Sequence, residues 1–217
     1  MKSCTITLLS VALATTLFSC SMEMAVAPQQ PVNQGPGQPT GPTTGSVEGN
    51  WNFVGMKVYT KSIITTSGAG GPDKTITISD YETINNAGTI TFNNGKAITE
   101  GLTYEVNTIL KAEAFMGGIS TGPMQMPFAF TLPPMGSSAT YKLIGSDSLY
   151  FDQGFVGVPG SNGIPAATTA SGSHISWSGD TLLLSGTESL THTEDVSGVT
   201  MTINDTGSQT VKLLKKK

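Results

Sequence analysis

Across residues 98–116 apolar and polar side chains take turns almost without a break. Ile98, Leu102, Tyr104, Val106, Leu110, Ala112, Ala114 and Met116 share one parity, while Thr99, Thr103, Glu105, Asn107, Lys111 and Glu113 mostly fill the other. A helix places apolar residues every third or fourth position, whereas a strand with one buried face needs them at every second. The run is also several times longer than a typical strand of about 5–6 residues, so any sheet it joins is deep. Gly101 predicts a bulge or bend within it. Ile109 and Phe115 break the alternation, which leaves a short helix over 109–115 as the rival assignment.

The same texture recurs along the chain. Met124, Met126, Phe128, Phe130 and Leu132 alternate with Gln125, Pro127, Ala129, Thr131 and Pro133. Ile76 and Ile78 alternate with Thr75, Thr77 and Ser79; Ile90 and Phe92 with Thr89 and Thr91; Val199, Met201 and Ile203 with Thr200 and Thr202. One dry and one wet face per segment is the pattern of antiparallel sheet. Asn94-Gly95 is the strongest hairpin signal, because a type I′ turn needs positive φ at both central positions. Ser197-Gly198 predicts a second turn. A weak repeat, Tyr141 to Phe151 against Ile175 to Leu184, reads twice as strand, Gly-Asp turn, strand.

These segments predict an all-β domain of eight to ten strands, joined mostly as an up-and-down meander. A sheet with no helices to cover it must close on itself or fold double. The expected architecture is therefore an antiparallel up-and-down β-barrel, with a β-sandwich as the alternative. Tyr104, Met126, Phe128 and Phe130 fall on the inward-facing parities and are the candidate lining of an apolar cavity. Met116 and Met135 add soft, adaptable volume nearby. Ordinary core filling is the competing role for all of them. Residues 153–171 form a long Gly- and Pro-rich connection, either a lid, a contact surface or a plain insertion.

The front of the chain carries different information. Lys2 precedes an uncharged apolar run over 5–18, too short to span a bilayer as a helix, and Leu17-Phe18-Ser19-Cys20 follows. This layout resembles the lipobox of bacterial lipoproteins, in which the cysteine is acylated and becomes the first mature residue. The resemblance implies a lipoprotein signal peptide at 1–19 and lipidation of Cys20, with anchorage to a membrane. Ala25-Val26-Ala27 offers the alternative of an ordinary secretory cleavage. Residues 20–46 hold Pro28, Pro31, Pro36, Pro39 and Pro42 among Gln and Gly, with Glu23 as the sole charge. Such a segment buries too little to offset its ordering entropy and reads as a disordered tether. Stretched at about 3.1 Å per residue it reaches about 80 Å, and as a relaxed coil about 30 Å.

Composition narrows the chemistry. All eleven basic residues are lysine and the formal net charge is −4. Nucleic-acid binding needs clustered cations, so no nucleic-acid partner is expected. The absent guanidinium fork argues against phosphoryl chemistry. The terminal Lys215-Lys216-Lys217 run reads as a solvated end, since anionic-lipid contacts usually use about 4–8 basic residues. Cys4 and Cys20 are the only cysteines, so the domain beyond the signal has no disulfide and no thiolate metal site. His174 and His192 lack metal-ligand spacing, and no G-x-S-x-G elbow or phosphate loop is present. The expectation is a protein that is not an enzyme, with no metal and no cofactor beyond a covalent lipid.

Gly49-Asn50-Trp51, opening the β domain at 47–217, is similar to the G-x-W motif of lipocalins. With the lipobox and meander order, the chain resembles the lipocalin-like lipoproteins of Gram-negative envelopes. That resemblance implies an eight-stranded barrel whose Trp51 plugs the closed end, with Gly49 and Trp51 structural rather than ligand-touching. It also implies an outer-membrane lipoprotein whose barrel holds a small hydrophobic ligand. The alternative is a structural or interaction lipoprotein with a filled core, contacting another envelope component. The family places an arginine over the tryptophan; here Lys212 is the substitute that the sequence offers. The family's C-terminal helix has no counterpart, because the last strand runs on to Lys217.

Overall fold

The computed structural model describes residues 45–68, 71–153, 170–196 and 198–217. The signal peptide, Cys20, the tether up to residue 44, most of the 153–171 connection and Ser197 lie outside the described residues. Within them the chain forms nine strands: β1 Gly49–Gly68, β2 Gly71–Glu82, β3 Ile84–Asn93, β4 Lys96–Met116, β5 Ile119–Ile144, β6 Ser148–Phe151, β7 Ser171–Ser178, β8 Thr181–Val196 and β9 Val199–Lys215. All pairings are antiparallel, and β9 returns to pair with β1 from Trp51↔Lys215 to Thr66↔Met201, closing the sheet into a ring. Residues 109–115 are strand, so the helical rival is set aside.

The nine strands occupy eight positions around the ring. β2 pairs with the far half of β1 and of β4, and β3 pairs with the near half of each. Together they are one kinked stave between two long neighbours. The kink is fastened at Thr83, whose Oγ1 accepts from Met56 N–H at 2.8 Å and whose N–H donates to Met56 O at 2.9 Å. Asn94 (φ 48°) and Gly95 (φ 74°) make the left-handed pair that the I′ hairpin requires. The two members of the sequence repeat are the β5–β6 and β7–β8 hairpins.

The core fills one end of the ring. Trp51, Tyr104, Ile90, Ala97, Leu182 and Leu213 are fully buried there, with Phe92, Phe151, Met56, Leu102, Leu132 and Leu149 at 1% exposure. Phe92 meets Tyr141 edge-on at 5.4 Å, and Phe53 and Tyr104 lie tilted at 6.2 Å. At the other end β6 and β7 stop short. Among the described residues, β5 over 119–136 and β8 over 186–196 are paired on one side only. Among the described residues the ring is thus a packed collar carrying a half-barrel that is open along one side.

A bulge in β4 and the facing of β2 correct the sequence reading. Gly101 (φ 59°) adds a residue to β4, and the register slips between Thr99 and Leu102. Because side chains alternate strictly, one extra residue exchanges the faces. Ala97 and Thr99 are therefore buried before the bulge and Leu102, Tyr104 and Val106 after it, while Ile98, expected inside, is 39% exposed. In β2 the expected faces are reversed. Tyr81 sits opposite the buried Val58 and fixes the inward parity, so Ser79 (8% exposed) follows it inward and Ile76 and Ile78 turn out.

Candidate functional site

The open half has a two-toned inner face. From the buried pair Tyr104↔Leu132, the β4–β5 ladder continues in register through Val106↔Phe130, Thr108↔Phe128, Leu110↔Met126 and Ala112↔Met124. Directly opposed residues of an antiparallel pair share a face, so this whole row continues the core upward. Exposure climbs along it: Leu132 is buried at 1%, Phe130 and Phe128 are half-buried against the core, and Met126 and Met124 reach 43% and 47%. Tyr104 closes the bottom of the row, its ring 6.2 Å from Phe130. Of the four candidate lining residues, Tyr104 belongs to the packed core, Phe128 and Phe130 form a half-covered step, and Met126 stands open. They form one continuous wall.

The facing wall is mostly polar, apart from the paired Ile64 and Ile203 farther along it. Thr60 and Ser62 on β1, Thr75, Thr77 and Ser79 on β2, and Gln209 and Asp205 on β9 follow the inward parity of Val58, Tyr81 and Val211. Burial pushes the Tyr81 hydroxyl up to about 12. The Tyr104 hydroxyl is raised further, first by burial and then by the neighbouring Tyr81. Both phenols therefore stay neutral across physiological pH. Gln209 Oε1 is buried on this wall without a hydrogen-bond partner. Hydroxyls and amides can orient a ligand's polar end, while the Phe/Met row desolvates its apolar body.

The collar end is built around Trp51. Its Nε1–H donates to Val47 O at 2.8 Å, its ring lies 5.7 Å from that of Trp177, and Lys215 Nζ stands 5.4 Å from its centroid. Gly45 packs so close to Trp177 that an added Cβ would lie 2.5 Å from the ring. Tyr141 Oη donates to Glu48 at 2.6 Å, tying the incoming chain to β5, and burial, followed by this bond, raises the Tyr141 hydroxyl well above its usual range. Trp51 is fully buried at this end, and Gly49 (φ +130°) opens β1 just before it. The cation over the plug is Lys215, not Lys212. Lys215 pairs with Trp51 in register, whereas Lys212 has the opposite parity to the buried Val211 and Leu213 and reaches Glu82 at 3.4 Å. A shallow cavity of about 270 Å³ lies beside the plug, between Trp177, Asp180 and Lys215.

The histidines do not converge. His174 faces Asp147 at 3.6 Å and His192 faces Glu194 at 3.3 Å. Among the described residues no three His, Cys, Asp or Glu side chains are grouped to hold a metal ion. The sequence does not single out Trp177 or Tyr81, and it reads Lys215 as part of a solvated end, whereas its ammonium lies over the Trp51 ring. Trp177 sits in the second copy of the repeat, a place where its packing partner across the ring cannot be read. No protein-family model, curated protein or solved structure matches the chain.

Proposed function

We propose that this chain is a lipid-anchored protein of the Gram-negative cell envelope, held to the outer membrane by a fatty acyl group on Cys20, whose half-open barrel binds a small hydrophobic ligand. The observation that carries the binding reading is the graded row Leu132, Phe130, Phe128, Met126, Met124 on the inner face, which rises from full burial to about half exposure. Exposed apolar surface continuous with a core and bordered by polar residues marks a binding groove. The ligand's apolar part lies along β4 and β5, and its polar end meets the threonine-rich wall of β1 and β2. The work done is desolvation, with no bond made or broken.

The test is displacement of an environment-sensitive naphthylamine dye by palmitate. Phe128→Gln should weaken displacement, while Ile109→Gln, on the outward parity, should leave it unchanged; equal effects at both positions would reject the reading. Anchorage is tested separately by metabolic labelling with a clickable fatty acid, and a Cys20→Ser protein that still takes up label would reject it. A second reading is favoured by the tightly packed collar. In it the protein is a structural or interaction lipoprotein with a filled core, which presents its surface to another envelope component.

A further inference from the structure

Among the described residues β5 and β8 border a gap in the ring, and they are unequal as acceptors of another strand. In antiparallel sheet, alternate residues turn both backbone groups toward the same neighbour. Val196↔Val199 closes the β8–β9 hairpin, and the pair flanking a two-residue turn bonds to each other. Even-numbered residues of β8 therefore bond to β9. The β7–β8 hairpin agrees, since Ser178↔Thr181 closes it and puts Thr181, Leu183 and Ser185 on the β7 side. Beyond β7, the odd-numbered Thr187, Ser189, Thr191, Thr193 and Asp195 present their N–H and C=O groups to the gap.

All five keep an amide hydrogen, and four are the β-compatible threonine and serine. On β5 the odd positions include Pro123 and Pro127, while the ladder to β4 runs in register from Leu132 to Pro123. A proline cannot donate into an intact ladder, so it stands where its nitrogen faces the empty side. This is how natural sheets guard an edge. β5 is guarded and β8 is not.

Charge selects the occupant. The β8–β9 arm carries Glu188, Glu194, Asp195 and Asp205, and no lysine lies between 181 and 211. We propose that the exposed edge of β8 accepts an extended, lysine-bearing strand from a partner protein, which continues the ring along the line that β7 leaves unfinished. Two copies of this chain pairing β8 to β8 about Thr191 would set Glu188 opposite Glu194, a like-charge contact that opposes self-association. Main-chain hydrogen bonds supply affinity in such strand addition, and alternate side chains supply selectivity.

The experiment uses full-length protein and a fluorescein-labelled decapeptide alternating threonine with lysine, read by anisotropy and amide hydrogen exchange. The peptide should bind and slow exchange at residues 187–195. Thr191→Pro, which removes an outward N–H and leaves the β9 ladder intact, should weaken binding by about tenfold or more with an unchanged far-ultraviolet spectrum; Thr193→Pro serves as the second variant. A peptide with glutamate in place of lysine should not bind. Three results would overturn the proposal: equal binding by both proline variants, slow exchange at 187–195 before peptide is added, or a concentration-dependent dimer that protects the same amides.

Discussion

Lys215 Nζ stands 5.4 Å from the centre of the Trp51 ring, although the two residues lie at opposite ends of the folded domain's sequence. The contact exists because β9 pairs with β1 and sets Trp51 opposite Lys215, so it reports closure of the ring. Trp51 is fully buried, and truncating it to alanine should cost about 3–5 kcal/mol by urea denaturation. Lys215→Met should cost only about 0.5–2 kcal/mol, the worth of one cation–π contact. The chain's two tryptophans are the two plug residues, so intrinsic fluorescence follows this end of the barrel directly.

Gly88 and Gly101 sit at the same irregularity but should respond differently to alanine. A Cβ on Gly88 would lie 2.6 Å from Leu102 Cα, with φ at +107°, so both backbone conformation and space forbid it. Gly101 has φ +59° and open space around its Cβ position. Gly101→Ala should cost about 1–2 kcal/mol, the left-handed penalty alone. Gly88→Ala should cost clearly more, and thermal melts of the two variants compare them.

Thr83 is the fastening of the β2–β3 kink. Replacing it with the near-isosteric valine leaves Met56 N–H buried without its acceptor, and should cost about 1–3 kcal/mol. Thr83→Ser keeps the oxygen and should recover most of that. Chemical denaturation of both variants decides whether the hydroxyl or the methyl matters.

These two sites show where sequence reading reached and where it stopped. Alternation identified most of the strands, and Asn94-Gly95 identified its turn, because both are local. The facing of Ile98 was misread because the extra residue at Gly101 changes parity downstream, and only the partner strand reveals the slip. Ile76 and Ile78 were placed inside on hydrophobicity, yet parity in β2 is set by Tyr81 against Val58. The sequence offers Lys212 for the tryptophan, whereas Lys215 takes that place, because register with Trp51 is a non-local fact. At the candidate site, the Phe128–Phe130 wall was legible from β5 alone. The polar wall facing it was not, since it depends on which strands meet across the ring.

Alkaline pH should unfold the protein through its tyrosines. The folded-state pKa of Tyr81 is raised from 10.0 to about 12, so the native state holds a proton that the unfolded state releases between those values. Stability contributed by the neutral phenol is fully present below pH 10 and falls as pH rises toward 12. Tyr104 and Tyr141 are raised by burial and act in the same direction. Melting temperature should decline over this window, less steeply in Tyr81→Phe than in the parent.

Single cysteines placed in turn at residues 124–130 of a C4S/C20S chain would test most directly whether the inner face of the half-barrel is the binding surface. Thiol-reagent accessibility is measured at each position with and without palmitate. Cysteines at 124, 126 and 128 should react and become protected by the fatty acid, while those at 125, 127 and 129 should react equally in both conditions. Protection at the odd positions, or at none, would contradict the account.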